Sequence, residues 1–417
     1  MVDRYRSYSN RHTESGQCVK RSITTGAVLA TYNGSCQQGS YADCWDTVGE
    51  WDQDNPFLLK KVSQYYPTLS GSYPTVPYPK WEFTGEYPIT GQYSAIDPES
   101  RFPVPSVAEL QGMASHGAAM SNPCRPHIGL PTALGELKDL PKMLAQIPNA
   151  IRSRGGQFLS DLLGSRKRSG FSGLGNPAQW LKDAAAANLA WRFGWAPFIS
   201  DLSKMLGVTD AIAKRLAMLG NLAAGKSIRR RFNWPVESSE YDEGQKCTQS
   251  IGALLYHRKV TLFTCHRWVS TQWKLASGAT LPSTPDEMAN LAGRLAMGLN
   301  GPGGLAAAWE LTPWSWLHDW FFGLGDWLAA NNNALPITLA GSCFMQHSAS
   351  MTLMTASASN PAWVLCKGPY WMGMEVKRRI PLGSVLPLLP SIPTLPSLTG
   401  GQLGILGSLA VQLGLRR

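Results

Sequence analysis

The sequence predicts an α+β protein whose helices gather in a bundle, segregated from an antiparallel sheet. Three observations carry this. Helix-period and strand-period stretches come in blocks along the 417 residues, in the order β, α, β, α, β and then a proline-rich tail. Tryptophans recur at helical spacing in two stretches, Trp180, Trp191 and Trp195, then Trp309, Trp316, Trp320 and Trp327. A hydrophobic content of 44% over this length supports a large core and excludes a mainly disordered chain.

Residues 1–131 read as a β-rich region with acidic aromatic loops. Residues 23–32 combine β-branched side chains with alternation, and 65–105 are dense in Tyr, Pro, Gly and Ser, which suit strands and turns. Residues 132–227 read as a first helical region. Leu134, Leu137, Leu144 and Ile151 lie near one face, interrupted at Pro141 and Pro148; a second helix spans 176–193; a third places Ile212, Leu216, Leu219 and Ala223 together and ends near Gly225. Residues 228–283 switch to period two, with Leu254, Tyr256, Val260, Leu262 and Trp268 on the apolar side. Residues 284–335 return to helix. Thr284 is the N-cap, Pro285 takes the first helical position and Glu287 completes a capping box. Met288, Leu291, Ala292, Leu295 and Leu299 form the apolar face, which Gly301-Pro302-Gly303-Gly304 stops before the Trp-rich helix restarts at Thr312-Pro313. The two tryptophan stripes are expected to pack against each other. Residues 336–380 read as strands. The tail, 381–417, is apolar; its prolines forbid a continuous helix, and 403–415 is helical but too short to span a bilayer. The N-terminus has no apolar run of the signal-peptide kind.

Charged residues are scarce, at 16%, yet the net charge is +10. A basic surplus on a sparsely charged chain suggests a polyanionic partner. The charge is uneven. Residues 42–100 hold nine acids against three bases, whereas 150–275 hold nineteen bases against eight acids. The bases cluster as Arg152 and Arg154; Arg166, Lys167 and Arg168; Arg229, Arg230 and Arg231; Arg258 and Lys259 with Arg267; and Lys377, Arg378 and Arg379. These are candidate polyanion-binding residues, and RNA-binding ones under the resemblance given below, set against the plain alternative of a solvated face. Gly170 and Gly173 make 165–175 a candidate arm that moulds to phosphate. The acidic region is rich in rings, and Tyr65, Tyr66, Tyr78, Trp81, Glu82, Glu86 and Tyr87 are the candidate receptor-binding residues; the alternative is that these rings fill the sheet's own core.

Catalytic chemistry finds little support. The eight cysteines contain no CxxC pair, and Cys124-Arg-Pro-His127 and Cys265-His266 are too sparse to read as ligands, so no metal site or cofactor is expected. Cys18, Cys36 and Cys44 are able to pair in an oxidising medium, which the sequence does not decide. Gly220-Asn-Leu-Ala-Ala-Gly225-Lys226-Ser227 matches the phosphate-loop pattern, but a helix leads in and a basic strand-like run leads out, the reverse of what the loop needs. Ser315, His318 and Asp319 lie close without implied oxyanion donors. Asp319 and Asp326 are better read as acceptors for nearby Trp N–H groups or for Arg. No catalytic residue is predicted, and the chain reads as a non-enzyme.

The two tryptophan motifs carry a resemblance. Trp191-Arg-Phe-Gly-Trp195-Ala-Pro197, running on to Asp201, is followed by Trp309-Glu-Leu-Thr-Pro313-Trp-Ser-Trp316-Leu-His-Asp319-Trp320, with Trp327 beyond. Together they resemble the maturation (attachment) proteins of the single-stranded RNA bacteriophages, the leviviruses. The specific part covers about 160 residues, 180–335; the second motif is the more specific. The resemblance implies an elongated molecule with a helical end and a β end. It implies a single copy built into the coat-protein shell of the virion, made in the cytoplasm of the host bacterium. Such a protein grips the viral genomic single-stranded RNA near its 3′ end, attaches to a bacterial pilus and enters with the RNA. Two other classes stand beside it: a membrane-active or lysis protein acting through the apolar tail, and a nucleotide-binding enzyme using Lys226.

Overall fold

Two 21-residue strands open the chain, β1 (Val2–Ser22) and β2 (Val28–Val48), joined by a turn in which Gly26 takes φ 69°. The computed structural model describes residues 2–48, 55–66, 68–74, 81–88, 95–127, 207–250, 253–299, 309, 312, 317, 319, 324–331, 334–358, 364–367, 371–383 and 400–414. The further strands are β3 (Phe57–Tyr65), β4 (Thr68–Pro74), β5 (Trp81–Pro88), β6 (Ile228–Asn233), β7 (Glu237–Ser250), β8 (Ala253–Leu275), β9 (Ile337–Ala358), β10 (Val364–Lys367) and β11 (Trp371–Gly383). All belong to one sheet, ordered β10-β4-β5-β1-β2-β3-β11-β9-β8-β6, with β7 added against β8.

Among the described residues this overturns the α+β expectation of a segregated helical bundle: strands dominate there, and the described helices do not cluster as a bundle. The physical reason lies in β1 and β2. Much of this hairpin is exposed on both faces, so it has no apolar side to alternate with a polar one, and within the β-rich region its sequence marks only 23–32 as a strand. The expected strand at 23–32 is split by the turn at 23–27.

The chain divides into two compact units, residues 1–117, 229–272 and 339–385, and residues 118–228, 273–338 and 386–417. In the first unit the sheet buries a face that is unusually polar. Thr261 and Thr271 on β8, and Ser342, Gln346, Ser348, Ser350 and Thr352 on β9, are all buried, beside Phe263, Cys265, Val269 and Phe344. The apolar side expected on β8 is therefore the other one: Tyr256 and Leu262 are exposed. An irregular strap, residues 95–106, accounts for the polarity. It has no ladder of its own, so its carbonyls need donors. Ser350 donates to Ile96 O, Gln346 Nε2 to Phe102 O (2.9 Å) and Arg267 Nη2 to Pro103 O (3.2 Å). Phe102 and Ile96 pack on Phe263 and Cys265 between these bonds.

A helix the sequence reading missed follows the strap, α1 (Val107–Ser121). Its signal was present: Ser106-Val-Ala-Glu109 is a capping box. Glu109 Oε2 accepts from the Ser106 N–H (2.7 Å) and hydroxyl (2.8 Å), and the Glu109 N–H reaches Ser106 Oγ (3.4 Å). His116 on α1 packs edge-on against Phe232 of β6, with ring centroids 4.9 Å apart.

The second unit holds α2 (Val208–Ala223) and α3 (Pro285–Ala296), which pack together. α2 buries Arg215, Met218, Leu219 and Leu222 and leaves Leu216 exposed, so the face is rotated from the one expected. The rotation follows Arg215, whose guanidinium donates to the carbonyls of Pro123 and Arg125. α3 begins as read from the sequence, with Thr284 Oγ1 accepting from the Glu287 N–H (3.4 Å). It stops earlier than expected, at Gly298, whose φ of 70° is a helix-ending conformation. The remaining α-helices among the described residues are α4 (Leu324–Asn331) and α5 (Gly400–Gly414). Among the described residues no helix is long and apolar enough to cross a membrane.

Candidate nucleic-acid interface and attachment surface

The basic clusters separate by what surrounds them. Arg152, Arg154, Arg166, Lys167 and Arg168 lie outside the described residues. β6 carries the next cluster with strict alternation: Arg229 and Arg231 are exposed on one side, while Arg230 is half-buried on the other. The Arg231 guanidinium lies 4.3 Å from the centroid of the Trp268 ring and also bonds Asn233. A guanidinium over an indole gains cation–π attraction, and arginine N–H groups are suited to phosphate or to a base.

The β8 cluster is different, because β7 supplies acids opposite it. Arg258 pairs with Asp242, Lys259 sits 3.6 Å from Glu243, and Arg267 holds Glu237 at 2.8 Å while gripping the strap. Hydrogen bonding from Arg258 holds the Asp242 carboxyl below its usual range, and Lys246 does the same for Glu243. Within the β7–β8 hairpin these bases are thus matched by acids on the opposite strand. On β11, Lys377 pairs with Glu375 at 2.8 Å, Arg378 with Glu99 at 2.9 Å, and Arg379 Nε donates to Asn55 O at 2.6 Å.

The acidic aromatic candidates mostly pack within the sheet. Tyr65 lies 4.8 Å from the Trp371 ring, Tyr66 is half-buried with its phenol pushed up by burial, and Lys20 sits over Trp81 at 4.8 Å. Glu82 is in register with Arg21, and Glu86 accepts from Ser70 Oγ (3.1 Å). The Tyr87 ring presses on Gly34, where an added Cβ would meet it at 2.5 Å. Tyr78 lies outside the described residues. The sequence reading overlooked the rings that stand out in solvent. Tyr5, Tyr8 and Trp45 are exposed on the β1–β2 hairpin. Tyr5 and Trp45 are cross-strand partners with ring centroids 5.4 Å apart, and the Tyr5 hydroxyl donates to Asp43 (2.6 Å). Cross-strand pairing of rings was the missing signal, visible only once the hairpin register is known.

In the tryptophan motif, Asp319 accepts from the Trp309 indole N–H with both oxygens, at 3.1 Å each, and from the Gly325 N–H at 2.8 Å. This acid bonds an indole N–H, as expected for one of the two motif carboxylates. Trp309 and Trp327 are half-buried. Trp191, Trp195, Pro197, Asp201, Pro313, Trp316 and Trp320 lie outside the described residues, as does Trp180. The phosphate-loop match has the reversed context: α2 leads in, β6 leads out, and Gly225, with φ 72°, closes the helix through its N–H to Leu222 O (3.0 Å). The Asn221 carbonyl accepts from the Lys226 N–H, so the backbone there is spent on capping.

No protein-family model matches the chain, and no curated protein matches it.

Proposed function

We propose that the chain is a maturation-type protein of a single-stranded RNA bacteriophage, which binds folded genomic RNA and attaches the particle to a pilus. The observation that carries this reading is the motif 309–327, in which Asp319 braces Trp309 and the start of α4. That bracing gives a physical reason for an acid at a fixed distance from an indole. Two features support the RNA side. β6 holds two exposed arginines, one of them over an indole ring, and several of the other described basic residues pair with carboxylates. Among the described basic clusters β6 is the first place to test for RNA contact, with electrostatic attraction as its base and folded stem-loops as its preferred shape. Virion crosslinking followed by peptide mapping tests the assignment. In solution, reversing Arg229, Arg230 and Arg231 to Glu is expected to weaken RNA binding and to flatten the log–log salt slope by about 2. An unchanged slope defeats the assignment to β6. On the attachment side, Glu82→Lys with Glu86→Lys in assembled particles is expected to reduce adsorption and leave packaging intact.

A membrane-active reading is favoured by one observation. α5 carries no charged residue and exposes Leu403. At 15 residues it reaches only ~22 Å, short of a hydrocarbon core of ~30 Å, so it would lie in the interface. Liposome leakage by the full chain that Leu403→Glu abolishes would favour this reading.

A further inference from the structure

The outer edge of β1 is left open over most of its length. β2 pairs with β1 from Val2 to Arg21, but β5 pairs only with Gln17 to Ser22. The departure of β5 is built in. Pro88 ends it with no N–H to offer, and Gly16 lets it pass: a Cβ there would lie 2.4 Å from Glu86 O and 3.2 Å from Pro88 Cδ. Beyond that point, among the described residues, no strand pairs with the outer edge of residues 2–16, and residues 2–15 are exposed.

Other outer strands of the sheet are blunted. β10 has 4 residues and β6 has 6. β7 carries acids and a register break between Asp242 and Gln245, with Gly244 at φ 72°. β1 carries charges of both signs but lacks the other devices: it is long, has no proline, and keeps an unbroken register with β2 from Val2 to Lys20. Fourteen residues of strand offer ~45 Å of backbone donors and acceptors.

The side chains beside this edge select what pairs with it. Arg4 and Arg6, with side chains 46% and 53% exposed, share a single carboxylate, Asp46, so the Val2–Tyr8 end of that face has a surplus positive charge, while Glu14 lies further along the same face. The opposite face presents Tyr5 and Trp45. An added strand places successive side chains on alternate faces, so carboxylates at every second residue meet Arg4 and Arg6 while apolar residues between them meet the rings.

We propose that the outer edge of β1, residues 2–15, docks an extended segment of a partner protein as a further strand, with alternating acidic and apolar side chains. This goes beyond the functional reading above and does not rest on it.

The probe is a blocked peptide of sequence Thr-Glu-Val-Glu-Val-Glu-Val-Thr, added to the full chain and followed by hydrogen exchange and by anisotropy. Saturable binding is expected, with new amide protection confined to residues 2–16. The Lys-for-Glu peptide should bind at least tenfold more weakly to the native chain. Methylating alternate backbone nitrogens of the peptide should abolish binding in one of the two phases and spare it in the other; these peptide changes leave the protein's fold untouched. Arg4→Glu with Arg6→Glu should lose tenfold or more, and the milder Arg6→Gln part of that. Binding without protection of 2–16, equal binding of both N-methylated phases, or no binding at millimolar peptide overturns the proposal. Concentration-dependent dimers that protect the same amides would assign the edge to a second copy instead. Displacement of the peptide by a short oligonucleotide would assign Arg4 and Arg6 to phosphate. Either result overturns it too.

Discussion

Arg378 and Glu99 form a paired contact with three hydrogen bonds, Nε to Oε1 at 3.1 Å and Nη2 to both oxygens at 2.9 and 3.0 Å. The pair ties the strap to β11, so Arg378 holds the fold together where its sequence suggested phosphate. Both side chains are mostly buried, and removing one leaves the other desolvated without its partner. Glu99→Ala is therefore expected to cost ~1–3 kcal/mol in denaturant unfolding. Arg378→Gln should destabilise similarly while leaving the salt slope of RNA binding unchanged, in contrast to the β6 arginines. A flattened slope for Arg378→Gln with unchanged stability would reverse the assignment.

What the sequence made legible depended on whether one face of an element is apolar. The Thr284-Pro285-Asp-Glu287 start of α3 was read correctly because capping is local chemistry. The strands β6 to β8 and β9 to β11 were placed in the right stretches. For β1 and β2 only the β-rich character of 1–131 was legible and not the strands themselves, because much of their length is exposed on both faces and shows no apolar alternation. The buried side of β8 was misassigned for a related reason: Thr261 bonds Thr352 across the sheet, and the strap recruits Gln346 and Ser350, so polar side chains took the interior positions. In the candidate site the basic clusters were visible as clusters, but their neutralisation was not. Asp242 and Glu99 are close to Arg258 and Arg378 only in the folded chain.

Thiol reactivity should discriminate sharply among the cysteines. Burial pushes the Cys265 thiol up to about 11, and Cys18 and Cys36 are buried too. Cys247 is exposed on β7. A charged alkylating reagent at neutral pH should label Cys247 rapidly and Cys265 only after unfolding, since the thiolate is the reacting species. Mass mapping of native and denatured protein checks this; early labelling of Cys265 would show that the strap opens readily.

His347 gives the sheet a mild acid sensitivity. Burial lowers its imidazole below the ordinary 6.5; Glu375, 2.8 Å away, pulls it up, while Lys377 and His266 pull it down. A depressed folded value means the unfolded chain binds the proton more readily. The stability contributed by neutral His347 is therefore full above the unfolded value and is lost as pH falls through the folded one. Glu375 adds in the same direction: burial pushes its carboxyl up, but hydrogen bonds and charge from Lys377 and His347 outweigh that and leave it below the usual range. His347→Gln should flatten the fall in unfolding midpoint between about pH 7 and 5. A fall of the same size in the variant would move the cause elsewhere.

Asp319 supplies the last test, through Gly325. A Cβ at Gly325 would lie 2.5 Å from Asp319 Oδ2, so alanine at this position in α4 requires the carboxylate to shift. Asp319→Ala removes the acceptor for Trp309 and for the Gly325 N–H, with an expected cost of ~1–3 kcal/mol. Gly325→Ala alone should also destabilise, because it forces the carboxylate off its donors. With Asp319 already Ala, the clash is gone and alanine is the better helix former by ~1 kcal/mol. The double variant is then expected to be no less stable than Asp319→Ala, a strongly non-additive cycle. Additive losses would mean that the two residues act independently, and that the carboxylate does not limit what position 325 accepts.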